Sequence, residues 1–282
     1  MGLHFKNNIL RLKKDEDNFI DFCPERGGIV TNWTSRGDDI LYFDNNRFLD
    51  ANQSIRGGIP ILFPICGNID SDFSPFGKSY LNLPQHGFAR DMDWEFELNE
   101  DNQSLKLYLR DNLFTQKYYP FSFQVIIEVK IKIDCLIFEV QILNKSKIPM
   151  PISFGLHPYF NISDFKNIKF SDYPLICMDQ TKNSLQLTAN YLNVIQEGID
   201  IMMYSSGALS FTDSVLRRKI TLINPSPFDI SVIWSNPPRK MICLEPWTSP
   251  RNSLISGFRK ILVPSKSSKI LKSLIQINRI ED

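Results

Sequence analysis

An all-β fold, a large antiparallel sandwich, is what this 282-residue sequence predicts, and three observations predict it. Strict two-residue alternation runs through two adjacent segments, further short apolar runs are parted by Pro, Gly, Asn and Asp clusters, and long 3.6-residue periodicity is scarce. The clearest signal is VIIEVKIKI, which puts Val125, Ile127, Val129, Ile131 and Ile133 on one face and Glu128, Lys130 and Lys132 on the other, as a half-buried strand requires. LIFEVQIL, Leu136 to Leu143, repeats the pattern, and the Asp134-Cys135 break between them fits a tight reversal. Ser104 to Leu109, Lys219 to Ile223, Asp229 to Trp234, Met241 to Leu244 and Ile270 to Ile277 are further extended segments. Breaks such as Asn224-Pro225-Ser226-Pro227 and Ser235-Asn236-Pro237-Pro238 separate them, and at most a few short helical turns are expected. No linker-like run or internal repeat divides the chain, so residues 1–282 read as a single domain, a size that sandwiches reach as one unit.

Composition excludes several function classes. With 43% hydrophobic and 12% aromatic residues the chain can bury a sizeable core, and 22% charged residues make an ordinary globular surface, so disorder is not expected. A net charge of +1 creates no global field to gather nucleic acid or anionic lipid, and any anion recognition must be local. Five cysteines stand singly, with no C-x-x-C pair, which suits reduced thiols in a cytoplasm better than a disulfide framework or a zinc site. Met1 to Asp15 lacks an apolar core and a cleavage site, Lys6 stands where a myristoylation signal wants Ser or Thr, and no apolar run approaches a membrane span. The expected location is the cytoplasm, with no membrane partner.

Four loop-like segments concentrate Gly, Pro, His, Arg and Glu: Arg56 to Pro60 with Phe63-Pro64, Pro84 to Arg90, Gly155 to Phe160, and Cys243 to Trp247. Each has a plain structural reading. Gly57 and Gly58 can supply backbone conformations closed to other residues, and a histidine beside glycine is often a satisfied structural group. Glu245 follows the apolar run MICL, so its carboxylate is either an exposed strand end or a paired, positioned group.

Taken as a set and in this order, RGGIPILFP, LPQHGFARD, GLHPYF and MICLEPW resemble the aldose 1-epimerase superfamily, including galactose mutarotase and the hexose-6-phosphate mutarotases. The resemblance runs from about Gly27 to the last strands. It implies a β-supersandwich with a sugar site in a cleft on one sheet, and no metal or organic cofactor. It also implies roles: Glu245 takes the proton from O1 of an aldose, His157 gives one to the ring oxygen O5, and His86 orients the sugar near O5. Anomer exchange needs two such proton carriers, since O1 must lose a proton while O5 gains one. A carboxylate with a pKa of about 4.3 and an imidazole near about 6.5 are competent for it.

Arg56 and Arg90 lie in segments that look similar to those of hexose-6-phosphate mutarotases, and their guanidinium forks suit a phosphate dianion. The same segments occur around neutral sugars, so the expected partner is a small-molecule sugar or sugar phosphate. A further substrate-binding aspartate is expected at Asp200 in GIDIMMY, with Asp213 in FTDS as the rival. Phe63, Tyr159 and Trp247 are candidate apolar faces for the sugar, with core packing as the other reading. Arg251, in TSPRNSL, stands where relatives commonly carry Gly or an acidic residue. Beside the enzyme stands a second expectation, a non-catalytic sugar-binding module on the same fold. Glycoside hydrolysis, which calls for two carboxyl groups, ranks below both.

Overall fold

The computed structural model describes residues 8–280 apart from 51, 71–73, 100–102 and 206. The stretch read for a leader, Met1 to Asp15, thus lies partly outside the described residues.

Two eight-stranded antiparallel sheets dominate the architecture. Across the first the order is Ile168–Ser171, Gly207–Asp213, Arg218–Asn224, Ser268–Arg279, Cys135–Asn144, Phe123–Lys132, Ser104–Arg110 and Glu95–Asn99. Across the second it is Ser184–Leu187, Ile176–Asp179, Asp200–Tyr204, Ile230–Ser235, Met241–Trp247, Gly155–Leu156 and Ile61–Leu62, with Tyr159–Asn161 also paired to Met241–Trp247. A four-stranded sheet from residues 10–39 and a two-stranded ribbon, Met150–Ile152 with Ile261–Val263, complete it. The α-helices are short: Asn45–Leu49, Thr188–Leu192 and Ser253–Ser256. Among the described residues no helix is long and apolar enough to cross a membrane.

The alternating segments fold as their periodicity dictates. Phe123, Val125, Ile127, Val129 and Ile131 are buried while the residues between them are half-buried, and burying each such side chain stabilises the fold by roughly 1.5–3 kcal/mol. The hairpin register pairs Lys132 with Cys135, so the reversal is Ile133-Asp134 and not Asp134-Cys135. Ile133, expected on the buried face, is 46% exposed because the strand ends at Lys132 and the residue sits in the turn. Asp134 takes the left-handed backbone there, φ 57°, a conformation aspartate tolerates better than β-branched residues.

Met241–Trp247 decides where the site lies, because all seven of its residues are buried. The sequence reading ended this strand at Leu244; in the structure it runs on through Glu245 to Trp247. Ile242 and Leu244 enter the main core together with Ile127, Val140 and Ile275 of the other sheet. Met241 and Cys243 pack instead with Tyr159 and Trp234, and Trp247 packs with Leu62, Cys66 and Val232. Covered on both faces, the strand loses the alternation that a half-exposed strand displays.

Candidate active site

Directly opposed residues in a sheet share a face, and the register of the second sheet therefore assembles the site. Asp200 faces Trp234, Trp234 faces Cys243, and Cys243 faces Tyr159, which makes one row across four strands. Glu245, opposite Val232, stands two residues along on the same face. His157 lies between two short strands, Gly155–Leu156 and Tyr159–Asn161, that both pair with Met241–Trp247. Its backbone N–H donates to the Pro60 carbonyl at 3.0 Å.

Residues 157 and 245, far apart in sequence, are in direct contact: His157 Nε2 is 3.2 Å from Glu245 Oε1. The other carboxyl oxygen, Oε2, accepts a hydrogen bond from Trp247 Nε1 at 3.1 Å. The imidazole of His157 stacks on the Tyr159 ring at 4.6 Å and meets His86 and Trp234 edge-on at 5.6 and 6.0 Å. Packing on three sides fixes the plane of the ring. His157 Nδ1 is buried without a hydrogen-bond partner, so Nε2 is the nitrogen that faces both the carboxyl group and the cavity.

His86 is held by backbone. It occupies the left-handed region at φ 65°, its N–H donates to the Gly67 carbonyl at 2.8 Å, and the Gly67 N–H donates back to His86 Nδ1 at 3.1 Å. A nitrogen that accepts from an amide carries no proton, which leaves Nε2–H as a donor toward the cavity. Burial, with the guanidinium groups of Arg90, Arg251 and Arg56 nearby, pushes the imidazole down to about 3, so His86 is neutral at pH 7.

Three arginines face the same space. The Arg56 guanidinium lies 5.2 Å from the centre of the Trp234 ring, within cation–π range. Gly57 at φ 135° and Gly58 at φ 65° carry the adjoining turn, so the structural reading of these two glycines holds. Arg90 Nε approaches Asp91 Oδ2 at 3.7 Å, beyond hydrogen-bond length. Arg251 Nε donates to Gln180 Oε1 at 3.0 Å, and its Nη2 lies 3.6 Å from Asp200 Oδ2. Gln180 Nε2 in turn donates to Asp200 Oδ1 at 2.5 Å. Arg56, His86, Arg90, His157, Asp200 and Glu245 all line one cavity, with Gln85, Gln180, Trp234, Trp247 and Arg251 among the other walls.

The remaining expectations divide. Asp213, the rival aspartate, is away from the cavity: it is fully buried and accepts from Ser163 N and Oγ and from the Val215 and Leu216 amides, which makes it the cap of a turn. Phe63 is a core residue, packed on Phe88, Tyr119 and Phe123. Tyr159 supports His157 from behind, and of the three named aromatics Trp247 lines the cavity. Sequence reasoning missed Trp234 and Gln180. Trp234 carries a faint signal in ISVIWS, where it shares the parity of Val232. Gln180 carries none, because its position depends on the pairing of its N–H with the Asp200 carbonyl at 2.9 Å.

The sequence pattern of the aldose 1-epimerase family matches residues 10–266. The chain belongs to the aldose 1-epimerase family. Among solved structures similar to it is the Slr1438 protein of Synechocystis sp. PCC 6803, 34% identical with a TM-score of 0.92 over 99% of both chains. A galactose mutarotase related enzyme of Lactobacillus acidophilus, 18% identical over 98% of this chain and 99% of the other, shares the fold with a TM-score of 0.79. A Salmonella typhimurium protein provisionally named a glucose-6-phosphate 1-epimerase is 29% identical over 52% of this chain and 46% of its own length. The chain spans about half the length of the curated relatives of that name.

In this aldose 1-epimerase family member, burial sets the proton affinities of the central pair. Burial, with the Asp200 charge added, pushes the Glu245 carboxyl well above the usual carboxylate range, against the opposing pull of Trp247, Arg56 and Arg251. Burial, with His86, Arg56 and Arg90 nearby, pushes His157 well below the usual imidazole value. Opposed shifts in touching groups mean that the two titrate as one unit holding one exchangeable proton. His157, Cys243 and Glu245 also bring potential metal-ligand atoms within 4.8 Å of one another, all buried. Burial holds the Cys243 thiol well above its ordinary value, so the neutral S–H, a poor ligand, is the resting form.

Proposed function

We propose that this protein is a mutarotase that interconverts the α and β anomers of an aldohexose or its 6-phosphate by general acid–base ring opening. The observation that carries the reading is the 3.2 Å contact between His157 Nε2 and Glu245 Oε1 at the wall of a polar cavity. The shared proton rests on Glu245 and crosses the 3.2 Å contact to His157 Nε2 before a pyranose placed there exchanges two protons with the pair. Glu245 takes the O1 proton as the C1–O5 bond breaks and C1 becomes the aldehyde carbon, while His157 donates to O5. After rotation about C1–C2 both transfers reverse: His157 recovers its proton as O5 attacks C1, and Glu245 returns one to O1. The pair begins and ends with the same proton, so no cofactor is consumed. Positioned acids and bases of this kind each contribute roughly 10²- to 10⁴-fold.

The surrounding groups support the same reading. His86 offers Nε2–H to a sugar oxygen, Trp247 orients the Glu245 carboxyl, and Trp234 and Trp247 present apolar faces. Arg56 and Arg90, free of a hydrogen-bonded carboxylate in their described contacts, suit an anionic substituent. We place the enzyme in the cytoplasm as one domain, a reading supported by five free cysteines. Saturation-transfer NMR on α-glucose, α-galactose and glucose 6-phosphate tests the activity: accelerated anomer exchange is expected for at least one. Spontaneous rates throughout, with sugar binding intact by calorimetry, would move the protein to the class of non-catalytic sugar modules.

A further inference from the structure

Arg251 has no part in the proton transfers, yet it is built into the cavity wall. Its stem fills the space beside Gly67, where an added Cβ would stand 2.5 Å from Arg251 Cβ, and its head closes a triangle with Gln180 and Asp200. Three segments meet in that triangle: the turn after Ile176–Asp179, the start of Asp200–Tyr204, and the loop after Met241–Trp247. Asp200 Oδ1 accepts a hydrogen bond from Gln180, and Oδ2 faces the Arg251 guanidinium at 3.6 Å, an ion-pair contact without a hydrogen bond.

Charge turns this arrangement into a determinant of selectivity. Arg56, Arg90 and Arg251 line one cavity together with Asp200 and Glu245, and Arg251 is the one that stands beside Asp200. A bare Asp200 carboxylate would accept sugar hydroxyls and repel an anion held by Arg56 and Arg90. An Asp200 neutralised and held by Arg251 does neither strongly. We propose that Arg251 is a specificity-determining residue that acts through Asp200, cancelling its charge so that the cavity favours a sugar bearing an anionic substituent over the neutral sugar. The inference rests on the mutarotase reading for the site's location and adds the substrate class.

Binding is the readout, because it responds whether or not turnover occurs. Dissociation constants for glucose and glucose 6-phosphate are measured by calorimetry on the full chain, alongside exchange rates. Arg251→Met keeps the stem that packs at Gly67 and removes the charge. The expected result is a preference for the phosphorylated sugar in the parent protein, falling at least tenfold in Arg251→Met. In Arg251→Met with Asp200→Asn the preference returns to within about threefold of the parent, because the charge that needed cancelling has gone. Three results overturn the proposal: a parent with no preference for the phosphate, an Arg251→Met variant that weakens both sugars alike, or a double variant that fails to recover. Sugar binding without anomer exchange would instead overturn the mutarotase reading, with the preference ratios still deciding the role of Arg251.

Discussion

Glu245→Gln is the sharpest probe of the proposed chemistry, since the amide keeps the shape and most contacts of the acid. Its carbonyl oxygen still accepts from Trp247 Nε1, as Oε2 does now at 3.1 Å, and its NH₂ faces His157 Nε2 across the present 3.2 Å gap. What is lost is the proton acceptor for O1. A positioned base contributes roughly 10²- to 10⁴-fold, which is about 3–5 kcal/mol of barrier at about 1.4 kcal/mol per tenfold. The exchange rate of the preferred sugar, measured by saturation-transfer NMR, should fall by that factor. Stability should hold or rise, because a carboxyl group that burial penalises has been replaced by a neutral isostere. The parent's pH profile should be bell-shaped. Its alkaline limb lies above the ordinary carboxylate value, since burial raises Glu245, and its acid limb lies below the ordinary imidazole value, since burial lowers His157. Retention of more than a tenth of parent activity in a folded Glu245→Gln variant would refute the base assignment.

Other outcomes follow from the same geometry. His157→Gln should cost roughly 10²- to 10⁴-fold in exchange, and the double variant with Glu245→Gln should be little worse than either single one, because the two residues work on one shared proton. His86→Asn keeps an acceptor for the Gly67 amide and tolerates φ 65°, so the fold should persist while KM rises. The same change should flatten the acid side of the stability curve. His86 in the folded state titrates at about 3 against about 6.5 unfolded, so the unfolded chain takes up the proton first and stability falls as pH drops through that window. Its removal should relieve up to about 1.4 kcal/mol per pH unit there in urea titrations. Asp213→Ala should leave exchange rates unchanged and lower stability by about 1–3 kcal/mol, since it strands the amides of Ser163, Val215 and Leu216.

The half-exposed strands were legible because periodicity survives wherever one face is wet, as in Phe123–Lys132. The strand that carries Glu245 was harder. In a strand buried on both faces, MICL reads as a continuous apolar run that Glu245 ends, and nothing in the run tells which parity enters the core and which faces the cavity. That ambiguity also hid Trp234 and left Phe63 and Trp247 looking alike, although one is core and the other wall. Ile133 was placed inside because alternation cannot reveal where a hairpin turns. Of the polar residues that line the cavity, Arg56, His86, Arg90, His157 and Glu245 stand in the quoted motifs, Asp200 was read outside them with Asp213 as its rival, and Gln180 could not be named, since only strand pairing brings it to Asp200.

Gly67 ties together two things that the chain otherwise keeps apart. Its amide anchors the ring of His86, and the void above its α-carbon is occupied by the stem of Arg251. Engineers who wish to retarget the protein can vary the side chain at 251 beyond its Cβ without adding a contact at Gly67. Any methyl introduced at 67 would press on the Cβ and backbone of residue 251 and tug the imidazole in the same movement, so position 67 must stay glycine whatever side chain stands at 251.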